Sequence, residues 1–308
     1  GFLRGGARPP FEAMTKYIDA HRDTFGVEPI CRTLAIAPSS YYAARTRPPS
    51  KRSQEDAALK PEISRVHGGN FAVYGVRKVW RQLRREGCEV GRDRVGRLMA
   101  ELGLCGATRT KKVRTTKPAP ESQRPADLVE RIFSADVPDR LWVADLTYVW
   151  TRAGFCYASF VIDAFSRRIV GWRVSSSLRT DLALDALEMA IFSRGDRTLD
   201  GLVHHSDRGG QYLAIRYTER LEDAGAVNSV GSKGDSYDIA LAETVNGLYK
   251  AELINRRGPW RSLEDVEAAT ARWVHWWNTR RLHGACGDIP PAEYEAASWA
   301  DQQVAAAA

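Results

Sequence analysis

The stretch that decides the fold is Leu141–Thr151, with the sequence LWVADLTYVWT. It is dense in β-branched and aromatic residues, which favour a strand. Two segments of similar character follow, FCYASFVID over 155–163 and RIVGWRV over 168–174. Ala153 and Gly154 stand between the first two segments and are typical of a hairpin turn. Three consecutive strands with such short connections predict an antiparallel meander.

Downstream of the meander, helical and strand patterns alternate. Helices are predicted over 180–194, 215–224 and 239–254, and short strands over 201–205 and 226–230. Strands separated by helices are added to a sheet in parallel through crossover connections. This order of elements is the layout of an α/β ribonuclease-H-like fold, which we place over 136–256. A helical C-terminal extension is predicted over 257–308, with a helix from Leu263 to Trp277.

The chain before the core is predicted to be all-helical. In residues 1–50, Met14 and Ile18 share a helical face, a short helix is predicted over Glu28–Leu34, and Ser39 is predicted to cap a third helix. These elements form a small helix-turn-helix segment.

A second helix-turn-helix is predicted over 51–108. The apolar residues Val76, Val79, Trp80 and Leu83 repeat at helical spacing, as do Val95, Leu98, Met99 and Leu102, with Gly87 in the turn between them. Arg92, Arg94 and Arg97 lie off the apolar face, where they can face a DNA groove. The alternative is an ordinary three-helix unit with a charged exterior.

A basic linker containing prolines is predicted over 109–135. Its first nine residues, RTKKVRTTK, contain five basic residues and no acid. Arg109, Lys111, Lys112 and Arg114 are therefore predicted to follow a phosphate backbone. A plain solvated linker is the alternative.

The charge of the chain is divided between its two halves. The whole chain has 45 Lys and Arg against 38 Asp and Glu, a net charge of +7. Residues 1–130 carry 25 basic and 14 acidic residues, whereas residues 131–308 carry 20 and 24. A front half at +11 suits a polyanion such as nucleic acid. The back half has a net charge of −4, so its carboxylates are expected to serve a purpose other than binding a polyanion.

Several classes of protein are excluded by motif and composition. The sequence contains no run of about 18 apolar residues, so no transmembrane helix is predicted. It contains neither a GxSxG motif nor a P-loop, which argues against a serine hydrolase and an ATPase. The five cysteines are widely spread without a CxxC pair, which argues against a disulfide framework or a zinc ribbon. We therefore expect a cytoplasmic protein with no membrane partner.

Three acids are candidates for a shared catalytic site. Asp145 lies in the middle of an apolar strand, where an unpaired charge is costly. Asp207 follows the C-terminal end of a later strand, which is where sites form in α/β sheets. Glu243 lies one turn into the last helix of the core. Because two strands and a helix can bring these carboxylates to one edge of the sheet, we predict that they are the catalytic residues.

The negative charges of three such carboxylates repel one another unless the cluster binds cations. Mg²⁺ is a suitable cation because it takes oxygen ligands. We predict that Asp145, Asp207 and Glu243 are also the metal ligands. Two Mg²⁺ ions, for which Mn²⁺ can substitute, would activate an attacking hydroxyl and stabilise the leaving oxygen of a phosphodiester.

Other titratable residues compete for these roles. We assign Asp163, Asp235 and Asp238 to turns or helix caps. His204 and His205 lack a second pair of zinc ligands nearby, and His204 is predicted to point into the sheet packing.

Several motifs carry a family resemblance. They are WVADLTY at 142–148, VIDAFSRRIVGW at 161–172, HSDRGGQY at 205–212, Ala242-Glu243 with Asn246, Leu248, Lys250 and Glu252, WNTRRLH at 277–283 and PPAEY at 290–294. Together they resemble the insertion-sequence transposases of the IS-three family, whose catalytic core is that of retroviral integrases. The family signature is Asp, Asp, Glu with 35 residues between the last two, which is the spacing from Asp207 to Glu243. The pattern departs at Ile239, where the family usually has Asn.

The resemblance implies a bacterial DNA transposase associated with the nucleoid. It would cleave double-stranded DNA at the terminal inverted repeats of its element and use the freed 3′-hydroxyl to attack a phosphodiester of target DNA. It implies a homo-oligomer on DNA and an upstream small-frame protein, fused or separate, so that this chain, which starts at Gly1 without Met, is expected to be the downstream part. On the face of Glu243, Asn246 and Lys250 are predicted to contact DNA, as is Arg208 beside Asp207.

Two other functions fit part of the pattern. One is a ribonuclease-H-like nuclease that hydrolyses strands without joining them. The other is a catalytically silent DNA-binding regulator, which the presence of all three acids disfavours.

Overall fold

The computed structural model describes residues 9–108, 135–195, 197–206, 211–212, 214–230 and 240–307. The chain forms two compact units, Gly1–Leu59 and Lys60–Ala308. Within the described ranges, none of the helices combines the length and the apolar character needed to cross a membrane.

The first unit is helical. It contains α1 (Phe11–Phe25), α2 (Val27–Thr33), α3 (Pro38–Thr46) and the beginning of α4 (Lys51–Gly69). The three shorter helices enclose a small core that includes Met14, Ile18, Ile30, Cys31 and Tyr41. The prediction that Ser39 caps α3 is wrong, because Ala37 is the N-cap residue and Pro38 starts the helix. Proline is favoured at this first position because its fixed φ is already helical, so Ser39 lies inside the first turn.

The second unit begins with the helix-turn-helix region. The C-terminal part of α4 is followed by α5 (Val76–Arg85) and α6 (Arg92–Glu101). The turn after α5 contains Gly87 at φ +82°, a conformation that glycine adopts without steric cost. The buried residues of the two helices are Val79, Leu83, Val95, Leu98 and Met99. These are members of the two predicted apolar stripes.

A five-stranded sheet forms the centre of the second unit. Its strands are β1 (Leu141–Thr151), β2 (Gly154–Asp163), β3 (Ile169–Ser175), β4 (Val203–Ser206) and β5 (Val227–Val230), in the order β3-β2-β1-β4-β5. The first three strands are antiparallel, whereas β4 is parallel to β1 and β5 is parallel to β4. The predicted ribonuclease-H-like layout is confirmed.

One face of the sheet packs against α7 (Thr180–Phe192) and α8 (Ile215–Asp223). A side chain at Gly171 of β3 would come within 2.0 Å of the Ala186 carbonyl oxygen, so only glycine permits α7 to lie this close. Fully buried Trp142 belongs to the core cluster on this face. The start of β1 is thereby anchored three residues before Asp145.

The opposite face packs against the last helices of the chain. The predicted helix over 239–254 is α9 (Ala240–Tyr249) followed by a π-helical turn, Lys250–Ile254. The remaining elements are α10 (Asn255–Arg257), α11 (Leu263–Thr279), a 3₁₀ turn at Gly284–Cys286 and α12 (Pro291–Ala307). The ring of Phe160 in β2 lies 5.0 Å from Tyr249, which lies 5.2 Å from Trp273 of α11. These rings bury the second face of the sheet.

The C-terminal extension also contacts the helix-turn-helix region, which the sequence did not predict. Arg77 and Arg81 of α5 pair with Asp288 at 2.8 and 3.2 Å. The Trp276 indole N–H donates to Asn70 at 2.9 Å, and the Leu282 amide donates to the Tyr74 hydroxyl at 2.8 Å. The basic face of α5 is thus occupied within the chain.

Candidate active site

Asp145 lies at the centre of the sheet, in β1, with its side chain partly exposed. The Leu146 backbone N–H donates to Asp145 Oδ1 at 2.8 Å, and the Asn246 side-chain amide donates to Asp145 Oδ2 at 2.8 Å. Hydrogen bonds of this kind hold a carboxylate in one orientation. Asp145 is therefore an oriented carboxylate that solvent or a ligand can reach.

The parallel pairing of β1 and β4 leads directly to the second predicted acid. Their described register ends at the pair Ala144 and Ser206. Asp145 and Asp207 are the residues that follow this pair in the sequence. Asp207 and its neighbour Arg208 lie outside the described residues.

Glu243 lies in the first turn of α9, and its side chain is exposed. Asn246 is three residues further along and shares that side of the helix. Because the buried Asn246 amide bonds to Asp145, this side of α9 is turned toward β1. The structure thus brings Asp145 and Asn246 into contact and places Glu243 one helical turn from that contact. The predicted contact of Asn246 with DNA stays a prediction.

Lys250 occupies the first position of the π-helical turn, directly after α9. Its Nζ lies 4.2 Å from the centre of the Tyr148 ring, within the range of a cation–π interaction. Lys250 is about one helical turn beyond Asn246, which bonds to Asp145, so it lies next to the helix face that contacts the catalytic candidate.

Asp163 has the turn role that was predicted for it. Its carboxylate is fully buried and accepts hydrogen bonds from the Asp139 N–H at 3.0 Å, the Ser166 N–H at 2.7 Å and the Ser166 hydroxyl at 2.6 Å. Burial raises the pKa of Asp163, and the Ser166 hydrogen bonds oppose that shift. Asp235 and Asp238, the other two competitors, lie outside the described residues.

The two histidines are packing residues. His204 and His205 are both buried; His204 Nε2 lies 3.0 Å from the Tyr217 hydroxyl, and His205 Nδ1 lies 3.0 Å from the Ser229 hydroxyl. Burial lowers the pKa of His204 to about 3, so its ring is neutral. The prediction that His204 packs against the sheet is confirmed.

The donor set fits a hard cation. Carboxylate oxygens are the ligands that Mg²⁺ prefers, and Asp145 and Glu243 supply them from neighbouring elements. Across the described part of the chain, which excludes Asp207, no three His, Cys, Asp or Glu side chains are grouped to hold a metal. Asp207, the third ligand predicted from the sequence, lies outside that part of the chain.

The predicted DNA-contacting arginines lie apart in sequence, on α6. Arg92 pairs with Asp93 at 3.3 Å, and Arg97 pairs with Glu101 at 2.5 Å. Arg94 is partly exposed between them. The linker residues Arg109, Lys111, Lys112 and Arg114 lie outside the described residues.

Sequence reasoning missed a buried ionic group next to the site. Glu252, in the π-helical turn, pairs with Arg281 at 2.6 Å, and both side chains are about 6% exposed. The Arg281 guanidinium lies 4.4 Å from the centre of the Trp277 ring. Burial, together with the positive charge of Arg281, lowers the pKa of the neighbouring Lys78 to about 7. The only sign of this pair in the sequence is that Glu252 and Arg281 both belong to the motifs that carry the family resemblance.

Comparison with known proteins identifies the family. A family described as "Integrase core domain" matches residues 135–236 and, in a second form, 225–291, and "HTH-like domain" matches 53–112. A putative transposase for insertion sequence element IS986/IS6110 from Mycobacterium tuberculosis is 58% identical over 277 residues, which cover 89% of this chain and all of that protein. The chain belongs to the insertion-sequence transposases of the IS-three family. It is an integrase-type DDE transposase, a DNA-binding enzyme.

A second relative is also described as a transposase of an insertion sequence element. The transposase for IS629 from Shigella sonnei is 52% identical over 292 residues, covering 93% of this chain and 97% of that protein. Among solved structures, the catalytic core domain of HTLV-2 integrase in complex with magnesium matches 52% of this chain and 98% of that chain, at 16% identity and a TM-score of 0.42.

Proposed function

We propose that the transposase cleaves DNA at the ends of its insertion sequence and transfers the freed 3′-hydroxyl to target DNA at a site formed by Asp145, Asp207 and Glu243. The observation that carries the proposal is the 2.8 Å hydrogen bond from Asn246 to Asp145, which ties α9 to β1. Asp207 directly follows Ser206, which pairs with Ala144, the residue before Asp145. We propose that the three acids act together in one site.

Each residue has a distinct task in this site. Asp145, Asp207 and Glu243 supply oxygen ligands, and Asn246 fixes the orientation of Asp145. Members of the integrase core family depend on divalent metal, and two bound Mg²⁺ ions would activate the attacking water or 3′-hydroxyl and stabilise the leaving oxygen. Lys250 neutralises a DNA phosphate beside the scissile bond, and Arg208 serves similarly beside Asp207.

DNA binding outside the site is assigned to the front half. The arginines of α6 face a groove of the element end, and the basic linker at 109–117 follows the backbone. We further propose that the transposase acts as a homo-oligomer on DNA, together with an upstream small-frame protein, at the bacterial nucleoid in the cytoplasm. The division of charge between the halves of the chain supports this assignment.

The test is strand joining by the purified transposase. A duplex carrying the element end, identified from the inverted repeats that flank the gene, is incubated with target DNA and Mg²⁺. The transposase is expected to release a 3′-hydroxyl end and join it to the target, whereas Asp207→Asn is expected to do neither. Asp301→Asn, which removes an exposed carboxylate of α12, is the matched control and keeps full activity.

Three results would contradict the proposal. Strand joining by Asp207→Asn would remove that residue from the site. Cleavage without joining would indicate a nuclease. Salt-dependent binding of the element end without Mg²⁺-dependent turnover would indicate a regulator.

A further inference from the structure

Three aromatic side chains are exposed on the β1–β2 hairpin. Tyr148, Trp150 and Phe155 are 60%, 64% and 51% exposed. The ring of Phe155 lies 5.9 Å from that of Tyr148 and 4.7 Å from that of Trp150, and both pairs meet edge to face. We call these three residues the hairpin aromatic patch. The three rings pack edge to face, while their outer surfaces face solvent. Exposed apolar patches of this kind mark binding sites.

The strand pairing fixes the patch on one side of the sheet. Trp150 and Phe155 are cross-strand partners. Tyr148 is two residues from Trp150 and therefore lies on the same face. Val149 and Thr151, which alternate with them, are buried on the opposite face. The exposed rings are therefore held by a well-paired hairpin whose other side is packed.

The patch is close to the site of strand transfer. Tyr148 follows Asp145 by three residues, which places their Cα atoms about 10 Å apart along the strand. The Lys250 ammonium lies 4.2 Å from the centre of the Tyr148 ring, and Lys250 is about one helical turn beyond Asn246, whose amide donates to Asp145. Lys250 therefore links the patch to the helix that contacts Asp145, although the Tyr148 and Asp145 side chains lie on opposite faces of β1.

The charge around the patch favours a nucleic acid over a protein surface of mixed charge. The hairpin sequence from 146 to 162 contains no Asp or Glu. Arg152 is exposed at its turn. Aromatic rings combined with nearby cations and without acids are the composition of surfaces that bind single strands by base stacking.

We propose that the hairpin aromatic patch stacks the unpaired bases that flank the scissile phosphate, while Lys250 holds the phosphate between them. The proposal rests on the proposed function, because it requires the scissile phosphate to lie at Asp145. The ligand is a short single-stranded flank rather than intact duplex, because base pairing and stacking cover the base faces that the rings would contact. The patch therefore gives the transposase a preference for DNA ends that are open beside the cleavage site.

The experiment compares binding of two DNA ends in EDTA, where no cleavage occurs. One is fully paired, and the other has three mismatched bases beside the scissile phosphate. The unmodified transposase is expected to bind the mismatched end about tenfold more tightly, as expected for base stacking on aromatic rings. Trp150→Ala and Trp150→Leu are expected to lose this preference and to keep the affinity for paired DNA, whereas Trp150→Phe keeps most of it.

Two further measurements separate stacking from a structural effect. A 5-iodouracil placed in the mismatched flank is expected to crosslink to Tyr148 or Trp150 on irradiation. Phe192→Ala removes a side chain of α7 that is 87% exposed and serves as the matched control, which retains the preference. Thermal unfolding of each variant is measured alongside, and the exposed positions are expected to leave the melting temperature unchanged.

The outcomes distinguish the patch from the active site. An equal preference in Trp150→Leu and the unmodified protein would overturn the stacking proposal. So would a change in oligomeric mass with an unchanged preference, which would assign the patch to a contact with a second copy of the chain. Cleavage and joining in Mg²⁺ without any preference would overturn stacking alone, whereas preference without joining would overturn the proposed function and leave stacking supported.

Discussion

Asp145 and Asp163 lie on neighbouring strands of one sheet, but their carboxylates have opposite surroundings. Asp163 is fully buried, and its oxygens accept hydrogen bonds from Asp139 and Ser166. Asp145 is partly exposed and is oriented by the Asn246 amide. The comparison teaches that the surrounding donors, rather than the position in a strand, separate a structural acid from one that can serve a ligand.

The network around Asp163 extends away from the active site. Asp139, whose backbone bonds to Asp163, also pairs with Arg194 at 2.7 Å. Arg194 in turn pairs with Glu295 of α12. Asp163 therefore helps to tie the meander to the C-terminal extension, whereas Asp145 points to the element that carries Glu243.

The largest expected effect comes from Asp145→Asn. This change keeps the shape of the side chain but removes the charge that binds metal, so strand joining is expected to fall by about a thousandfold or more, equivalent to several kcal/mol of transition-state stabilisation. The melting temperature is expected to stay within a few degrees of the original. Joining of labelled element ends measures the first quantity and circular dichroism the second. Activity near the original level would contradict the metal-ligand role.

Asp163→Ala is expected to give the converse result. Removing its carboxylate leaves the buried Asp139 and Ser166 N–H groups without acceptors, which costs about 2–4 kcal/mol of the free energy of unfolding. Urea denaturation measures this loss. At low temperature the folded fraction is expected to keep its joining activity per molecule, and loss of that activity would place Asp163 in the catalytic site.

A smaller effect is expected from Asn246, which supports Asp145 without being a metal ligand. Asn246→Ala removes the orienting hydrogen bond and is expected to lower joining by about 10–100-fold, the usual effect of a residue that positions a ligand. The concentration of Mg²⁺ needed for half-maximal activity is expected to rise. Asn246→Gln tests whether the amide alone is sufficient. An unchanged Mg²⁺ requirement with reduced DNA affinity would instead support the contact with DNA.

Two arginines extend the comparison to the helix-turn-helix region. The side chains of Arg92 and Arg77 are each 64% exposed, but Arg92 pairs with the exposed Asp93 and Arg77 with the mostly buried Asp288. Arg92→Ala is expected to reduce the salt dependence of DNA binding by about one unit in the slope of log K against log salt. Arg77→Ala is the matched control and leaves that slope unchanged. Equal slopes for both variants would contradict the assignment of α6 to DNA.

The last expected effect is a pH dependence of stability set by Lys78. Its pKa is lowered to about 7 in the folded protein, mainly by burial, against an ordinary value of 10.5. Between these values the unfolded chain binds a proton that the folded chain lacks, so the Lys78 contribution to stability increases as pH rises from 7 to 9, by up to about 1.4 kcal/mol per pH unit. The difference in unfolding free energy between the original protein and Lys78→Met is expected to change across this range. A constant difference would contradict the shifted pKa.

Much of the fold could be predicted because local patterns were strong. The β-branched and aromatic residues of 141–151 and the hairpin at Ala153-Gly154 decided the meander, and the helical spacing around Val79 and Val95 decided α5 and α6. The prediction that Ser39 caps α3 was wrong because serine is a common N-cap residue, whereas this helix begins one residue earlier, at Pro38. The π-helical turn at 250–254 was not predicted; its buried Glu252 pairs with Arg281, which lies outside this helix in the sequence.

The candidate site could be predicted only in part, because some of its contacts join residues that are far apart in the sequence. Asp145 and Glu243 could be named from spacing and chemistry, but the bond between Asn246 and Asp145 joins residues 101 positions apart. The binding of α5 to the C-terminal extension was hidden in the same way, since Arg77 and Asp288 are distant in sequence. Long-range pairs require the fold before they can be recognised.

The most direct test of the metal site is the binding of Mn²⁺ to the complex of transposase and element end, followed by electron paramagnetic resonance. Two tightly bound Mn²⁺ ions per active site are expected for the unmodified protein. Asp145→Asn is expected to lose at least one of them, whereas Asp163→Asn is expected to keep both. Equal numbers and affinities of bound Mn²⁺ in the unmodified protein and Asp145→Asn would contradict the assignment of Asp145 as a metal ligand.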